Sequence, residues 1–211
     1  IDAALAYRAS LAPAATAYRL VHGEADGLPT LIVDRYGDVL VVQILSAGLE
    51  VFRDEIVEIL RNRLAPSGIL ARNDVPVRRL EGLPEEVEVL WGEVPAEVEV
   101  REGAVKYRAG LRGGQKTGAF LDQRENRERA GELARGRALD CFSYHGSFSL
   151  HLARRAERVL AVDSSAEALE RAKANAALND LGNIEVLEAN VFDFLRAEEA
   201  AGAEYETIVL D

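Results

Sequence analysis

The stretch Leu139–Asp163, LDCFSYHGSFSLHLARRAERVLAVD, decides how the rest of the chain is read. It predicts a buried strand over Arg137–Cys141, a tight turn, a helix over about Ser147–Arg155, and a second buried strand over Arg158–Val162 that stops at an acid. In a doubly wound α/β sheet such a unit holds an adenosine-type ligand at the carboxyl ends of the strands, against the helix N-terminus. Asp163 follows Asp140 by 23 residues, close to the ~20 residues at which a carboxylate meets ribose hydroxyls. The turn lacks G-x-G-x-x-G. Gly146 is its only glycine, with Ser143, Ser147 and Ser149 around it. A single glycine leaves a pyrophosphate little room against the backbone, so the spacing favours a nucleoside without phosphates. S-adenosylmethionine is the candidate.

Beyond Asp163, Ser164-Ser165-Ala166-Glu167 reads as a capping box opening a helix that carries Leu169, Ala172, Ala176 and Leu178 on one face. Ile184–Leu187 predicts a third strand, Val191–Arg196 another helix and Thr207–Leu210 a fourth strand. Strand–helix alternation at this pitch means a parallel sheet. On the other side, a glycine-rich loop from Gly110 to Gly118 leads into a helix over about Asp122–Arg135, with Gly136 placed to cap it.

The first half reads as a smaller α/β unit. It has a helix over about Ala3–Leu11, ended by Pro13, and a hairpin of Leu31–Arg35 and Val39–Leu45 around Tyr36-Gly37-Asp38. An amphipathic helix over about Leu49–Leu64 and a short strand, Ile69–Arg72, follow. The acidic segment from Leu80 to Pro95 reads as a surface connection, and Val98–Ala109 as a second hairpin turned at Gly103. The expected division is 1–96 as a central α/β domain, 97–114 as a hairpin and loop connector, and 115–211 as the beginning of a cofactor-binding domain.

The 211 residues suffice for one large or two small cores. No apolar run approaches the ~20 residues that span a bilayer, so no membrane partner is expected. The lone cysteine, Cys141, excludes an internal disulfide framework and fits a reducing, cytoplasmic compartment as a buried structural thiol. A net charge of −11 argues mildly against nucleic acid as a partner, although local basic clusters can outvote it. His22, His145 and His151 share no ligand spacing, so no metal site is expected. The chain starts at Ile1 and stops directly after an apolar strand, which reads as a window of a longer polypeptide.

Candidate binding residues cluster around the central unit. Gly146 and the amides after it suit an anion such as the methionine carboxylate, with Asp140, Phe142, Ser143 and Tyr144 shaping the turn. Asp163 and Ser164 suit the ribose. Asn190 or Asp193 could accept from an adenine amino group; Asp193 equally suits a helix first turn, so Asn190 is the better reading. Gln123 and Arg124 begin a helix directly after the glycine loop. Arg112, Lys116 and Arg127 belong to the densest basic cluster in an acidic chain, and are read either as RNA contacts or as a solvated face.

Several of these runs resemble the bacterial 23S rRNA (cytosine-5) methyltransferase family. The block Gly114-Gln115-Lys116-Thr117-Gly118-Ala119-Phe120-Leu121-Asp122-Gln123-Arg124-Glu125-Asn126-Arg127 is similar to its hallmark. So are Leu139–Phe148, Val162–Ser165 and, upstream, Ala17–Pro29 with Val33–Asp38. The resemblance implies a PUA RNA-binding domain, a small central α/β domain and a class I, Rossmann-like methyltransferase domain that binds S-adenosylmethionine. This chain would hold the second and the first half of the third. It further implies that Asp211 opens a D-P-P-A-F motif beside the target base and helps position or protonate the ring, making Asp211 the catalytic candidate. A nucleophilic cysteine that adds to cytosine C6 would lie beyond it. Where the family has Tyr-Thr-Gly-Gly-Phe, this chain has Tyr144-His145-Gly146-Ser147-Phe148, which is closer to a sister group that methylates guanine N7 of the same RNA. The family's adenine-contacting acid aligns with Asn190, whose amide oxygen still accepts.

Three readings follow. The first is cytosine C5 methylation of 23S rRNA; the second moves the methyl to guanine N7; the third is a non-catalytic RNA-binding or assembly module that retains the cofactor fold. The missing G-x-G-x-x-G disfavours nicotinamide-linked oxidoreduction. A homodimer is compatible with the resemblance, but no residue requires one.

Overall fold

A computed structural model of the chain describes residues 1–11, 14–113 and 117–211. They form two compact units, 1–102 with 109–121, and 103–108 with 122–211. Two of the three boundaries, after 102 and 108, fall inside the segment 97–114 expected as a connector, so that segment belongs to both units; the third falls after Leu121.

The first unit is built on a five-stranded sheet in sequential order: β1 (Ala17–His22), β2 (Leu31–Tyr36), β3 (Val39–Ile44), β4 (Gly68–Arg72) and β5 (Val87–Gly92). All neighbours are antiparallel except β3 and β4. That parallel pair needs a crossover, supplied by α2 (Ala47–Glu50) and α3 (Arg53–Leu64). One continuous amphipathic helix was expected over these residues. Ser46 caps the first turn by accepting from the Leu49 amide, and the helix breaks at Val51 and Phe52, both exposed. Ile56 and Leu60, four apart on α3, bury against Leu20, Leu31, Val33, Val42 and Ile69 of the sheet. Helix α1 (Asp2–Leu11) adds Ala4 to the same core.

Two elements depart from the expected surface connection after Leu80. The short helix α4 (Val77–Leu80) precedes it, and β5 runs through its middle. Strand β5 is an edge strand exposed at both ends, so its valines alternate with glutamates and its sequence resembles a linker. It is held close: a Cβ on Gly92, at φ +60°, would stand 2.1 Å from the Ser67 carbonyl oxygen. Strands β6 (Glu97–Glu102) and β7 (Val105–Gly110) then pair as a hairpin.

In the second unit, α5 (Arg124–Leu133) leads into β8 (Arg137–Cys141), α6 (Ser147–Leu152), β9 (Arg158–Asp163), α7 (Ala166–Leu178), β10 (Ile184–Glu188), α8 (Val191–Ala201) and β11 (Thr207–Leu210). The sheet is wholly parallel, in the order β10-β9-β8-β11. Side chains alternate faces along its strands. Ala138 and Val159 pack with Leu152, Ala153 and Ala156 on one face, while Leu139, Cys141 and Val162 pack with Val191 on the other. This is the doubly wound α/β arrangement, and strand order reverses direction between β8 and β11, the place where such sheets hold ligands. Gly136 does not cap α5 as expected: the helix ends at Ala134 in an extended conformation. The Gly136 carbonyl instead accepts from the Glu157 amide at 2.8 Å, at the start of β9. No helix among the described residues is long and apolar enough to cross a membrane.

Candidate functional site

Strand β8 leaves the sheet at Cys141 and re-enters helix at Ser147, and the five residues between form a bend of unusual backbone. Phe142 (φ +59°), Tyr144 (φ +49°) and Gly146 (φ +80°) all adopt left-handed conformations. Only the last is a glycine. Two side-chain-bearing residues in that region carry strain that persists only where surroundings over-determine it, a state that collects at ligand sites. Gly146 is constrained twice, since a Cβ there would also stand 2.9 Å from the Ala172 Cβ of α7.

Two acids hold the bend. Asp163, at the end of β9, accepts the Tyr144 amide on Oδ2 at 2.8 Å and the Ser165 amide on Oδ1 at 2.9 Å. It is half-buried, and a carboxylate offers about four acceptor positions, so two remain open. Asp163 is therefore both an anchor of the bend and an open acceptor. Asp140, expected among the residues that shape the turn, is sealed at 1% exposure. Its Oδ2 accepts the Ser149 amide at 2.9 Å and the Ser149 hydroxyl at 2.5 Å, so it fixes the start of α6 from behind. Burial raises its pKa to about 7; the Ser149 bonds oppose the rise, and Asp211 and Asp163 add to it. Three acids from β8, β9 and the end of β11 thus share one electrostatic environment at the carboxyl edge of the sheet.

The remaining candidates fall unequally. The Ser143 hydroxyl is buried and has no hydrogen-bond partner among the described residues. Phe142 is exposed beside the more exposed Phe192 of α8, ring centroids 5.6 Å apart and edge to face. Asn190 accepts the Phe192 and Asp193 amides on its side-chain oxygen at 3.0 and 3.2 Å. It is the N-cap of α8, and its acceptor is committed to the helix. Asp193 faces solvent and pairs with Arg196. Ser164 is exposed, and the cap of α7 is Ser165, which accepts the Ala168 amide, rather than the box expected from Ser164. Gln123 accepts from Asn126 at 2.7 Å and Arg124 pairs with Glu125, both where α5 begins; α5 packs on α6. Cys141 is buried, its thiol pushed up to about 11 chiefly by burial and then by Asp140, as fits a structural thiol.

Of the basic residues, Arg127 is corrected as an RNA contact: at 2% exposure its guanidinium is one of the largest fully buried side chains. Arg112 is exposed and donates to the Val94 carbonyl at 3.2 Å. Lys116, with Gly114 and Gln115, lies outside the described residues. Thr117 and Ala119 of that motif are tied within the first unit, while Asp122–Arg127 belong to the second. Thr117 donates to the buried Asp34 at 2.6 Å, and the Tyr36 hydroxyl takes the Ala119 amide at 3.0 Å. Burial, then the Asp34 charge, pushes the Tyr36 phenol far above its usual range. Ser149 and Phe192 were not foreseen as site residues. Their only sequence signals are a serine two residues into a predicted helix and an aromatic after a third strand.

A buried hydroxyl unpartnered among the described residues, a half-open carboxylate and exposed aromatic faces around a bend with no room for a Cβ at Gly146 fit a nucleoside with a charged tail. Comparison with known proteins agrees. A family model described as S-adenosylmethionine-dependent methyltransferase matches residues 20–211. Among curated proteins, the Ribosomal RNA large subunit methyltransferase I of Aeromonas hydrophila is 46% identical over 202 residues, covering 93% of this chain and 51% of that protein. That of Aeromonas salmonicida is 44% identical over 201 residues, again covering 93% of this chain and 51% of the relative. The chain thus spans about half the length of the curated relatives it matches. Among solved structures, a candidate methyltransferase complexed with SAH has a TM-score of 0.86 at 25% identity, covering 100% of this chain and 55% of that one. A candidate SAM-dependent methyltransferase from Streptococcus mutans has a TM-score of 0.85 at 26% identity, covering 100% of this chain and 56% of that one.

Proposed function

The chain belongs to the S-adenosylmethionine-dependent methyltransferase family, and from that premise we propose that the protein methylates a base of 23S ribosomal RNA, at C5 of a cytosine. The observation that carries the cofactor half is the bend at 142–146, with Asp163 open beside it and the Ser143 hydroxyl buried without a partner. Relatives named as large-subunit ribosomal RNA methyltransferases support the substrate half.

S-adenosylmethionine supplies, when bound, an electrophilic methyl group on a cationic sulfur. In this reading Asp163 accepts from the ribose, Phe142 offers a flat apolar face to the base, and Ser143 and Gly146 receive the amino-acid tail. Asp140 keeps the bend in shape by holding Ser149. Negative charge from Asp163 and Asp211 favours a cationic ligand over a neutral one in a site partly shielded from water. Asp211 faces the target base and orients its ring edge by hydrogen bonding, which makes positioning the chain's main contribution to rate. Arg112 and Lys116 contact the RNA backbone, and a PUA domain in the whole protein adds RNA affinity.

Undermodified 23S rRNA incubated with the full-length protein and methyl-labelled S-adenosylmethionine is expected to yield labelled 5-methylcytidine after digestion to nucleosides. Labelled 7-methylguanosine would replace the cytosine reading with guanine N7, which Ser147 in the Tyr144–Phe148 run favours. Cofactor binding without transfer to any rRNA base would overturn both readings.

A further inference from the structure

We infer that Asn175, on α7, is a positioning residue that holds the 142–146 bend in its ligand-ready conformation; this rests on the cofactor reading above. Its side chain is 1% exposed and both of its polar atoms are used. The amide nitrogen donates to the His145 carbonyl at 3.0 Å, at the peptide between left-handed Tyr144 and left-handed Gly146. The amide oxygen accepts the backbone N–H of Arg108 on β7 at 2.9 Å.

One turn further along α7, Asn179 repeats the device without reaching the bend. It accepts the Lys106 amide at 2.8 Å and donates to the Lys106 carbonyl at 2.6 Å. The spacing explains why two asparagines four apart can read alternate residues of a strand. Four helical residues rise ~6 Å and two strand residues ~6.7 Å, so the amides of α7 stay in register with one edge of β7. Between these contacts the buried Tyr107 ring stacks on His145, centroids 5.1 Å apart. Ala172, three residues before Asn175, closes against Gly146 from the same helix. The bend is therefore gripped at consecutive residues from α7, which offsets the strain at Phe142 and Tyr144. Asn179 serves as the internal control, because its side-chain hydrogen bonds run to Lys106 on the same strand and to the Asn175 backbone carbonyl, and not to the bend.

The test titrates S-adenosylhomocysteine into the full-length protein by calorimetry, with thermal denaturation alongside. Asn175→Ala, and Asn175→Asp, which keeps an acceptor for Arg108 but loses the donor to His145, are expected to weaken binding roughly tenfold. Asn179→Ala is expected to lower the melting temperature similarly while leaving affinity within about twofold. Hydrogen exchange on wild-type protein without ligand is expected to show slow Tyr144 and Gly146 amides. Wild-type affinity in the Asn175 variants, an equal affinity loss in Asn179→Ala, or fast amides that slow only on adding S-adenosylhomocysteine would each overturn the inference. Wild-type protein that binds no S-adenosylhomocysteine would overturn the cofactor reading itself, and this inference with it.

Discussion

Asp140 takes two hydrogen bonds on one oxygen from a single residue, the amide and the hydroxyl of Ser149, at 2.9 and 2.5 Å. Even so, burial wins, and the carboxyl sits at about 7 instead of its ordinary value near 3.8. The folded protein keeps this proton over a range in which the unfolded chain has released it.

Stability is therefore expected to fall as pH rises from about 4 through 7 and to level off above, because the unfolded state binds fewer protons there. Between about pH 5 and pH 8 the loss should amount to a few degrees of melting temperature. Asp140→Asn removes this component. Calorimetric scans showing the same decline in the variant would place the titrating group elsewhere.

Asp163→Ala deletes the proposed ribose acceptor and frees the Tyr144 and Ser165 amides. S-adenosylhomocysteine affinity should drop by roughly a hundredfold, the equivalent of one or two charge-assisted hydrogen bonds. Asp163→Asn, which keeps an acceptor oxygen, should fall between. Titration calorimetry that finds the alanine variant unimpaired would sink the ribose assignment.

A methyl at position 146 meets both a left-handed backbone and Ala172. Gly146→Ala should cost about 1–3 kcal/mol in urea unfolding and abolish ligand binding. Adding Ala172→Gly relieves the clash but not the backbone, so the double variant should recover part of the stability. No recovery would mean that the backbone conformation alone excludes a side chain there.

In the first unit, Arg78 is fully buried and donates to the Pro84 carbonyl at 2.8 Å, the Ile44 carbonyl and Glu50. Arg78→Ala leaves the buried Ile44 carbonyl without its donor and Glu50 without its partner, and should destabilise by about 1–3 kcal/mol. Arg78→Lys cannot reproduce the fork and should recover little. Equal stability of wild type and Arg78→Ala in urea would show that water reaches the group.

The β8–α6–β9 unit was legible because an apolar run, one glycine and a terminal acid leave few alternatives. The hairpin around Gly37 was legible from its turn residues. Strand β5 was not, since an edge strand buries too little to interrupt its glutamates. Arg78 and Arg127 carry the residue type of a solvated face, and only the fold reveals that they are enclosed. The capping role of Asn190 was not legible, because a cap and a ligand acceptor demand the same oxygen at the same place after a strand. The left-handed Phe142 and Tyr144 leave no compositional trace, because the constraint comes from Asp163 and α7, which lie further along the chain.

Strand β11 lies beside β8, although three helices and two strands separate them along the chain. Closing that longer loop costs more entropy than joining β8 to β9, and non-local parallel pairing is the slow part of assembling such a sheet. An emerging polypeptide thus shapes its ligand cradle early, from neighbouring segments. Asp211 follows β11, so the hollow takes shape before that negative charge joins it.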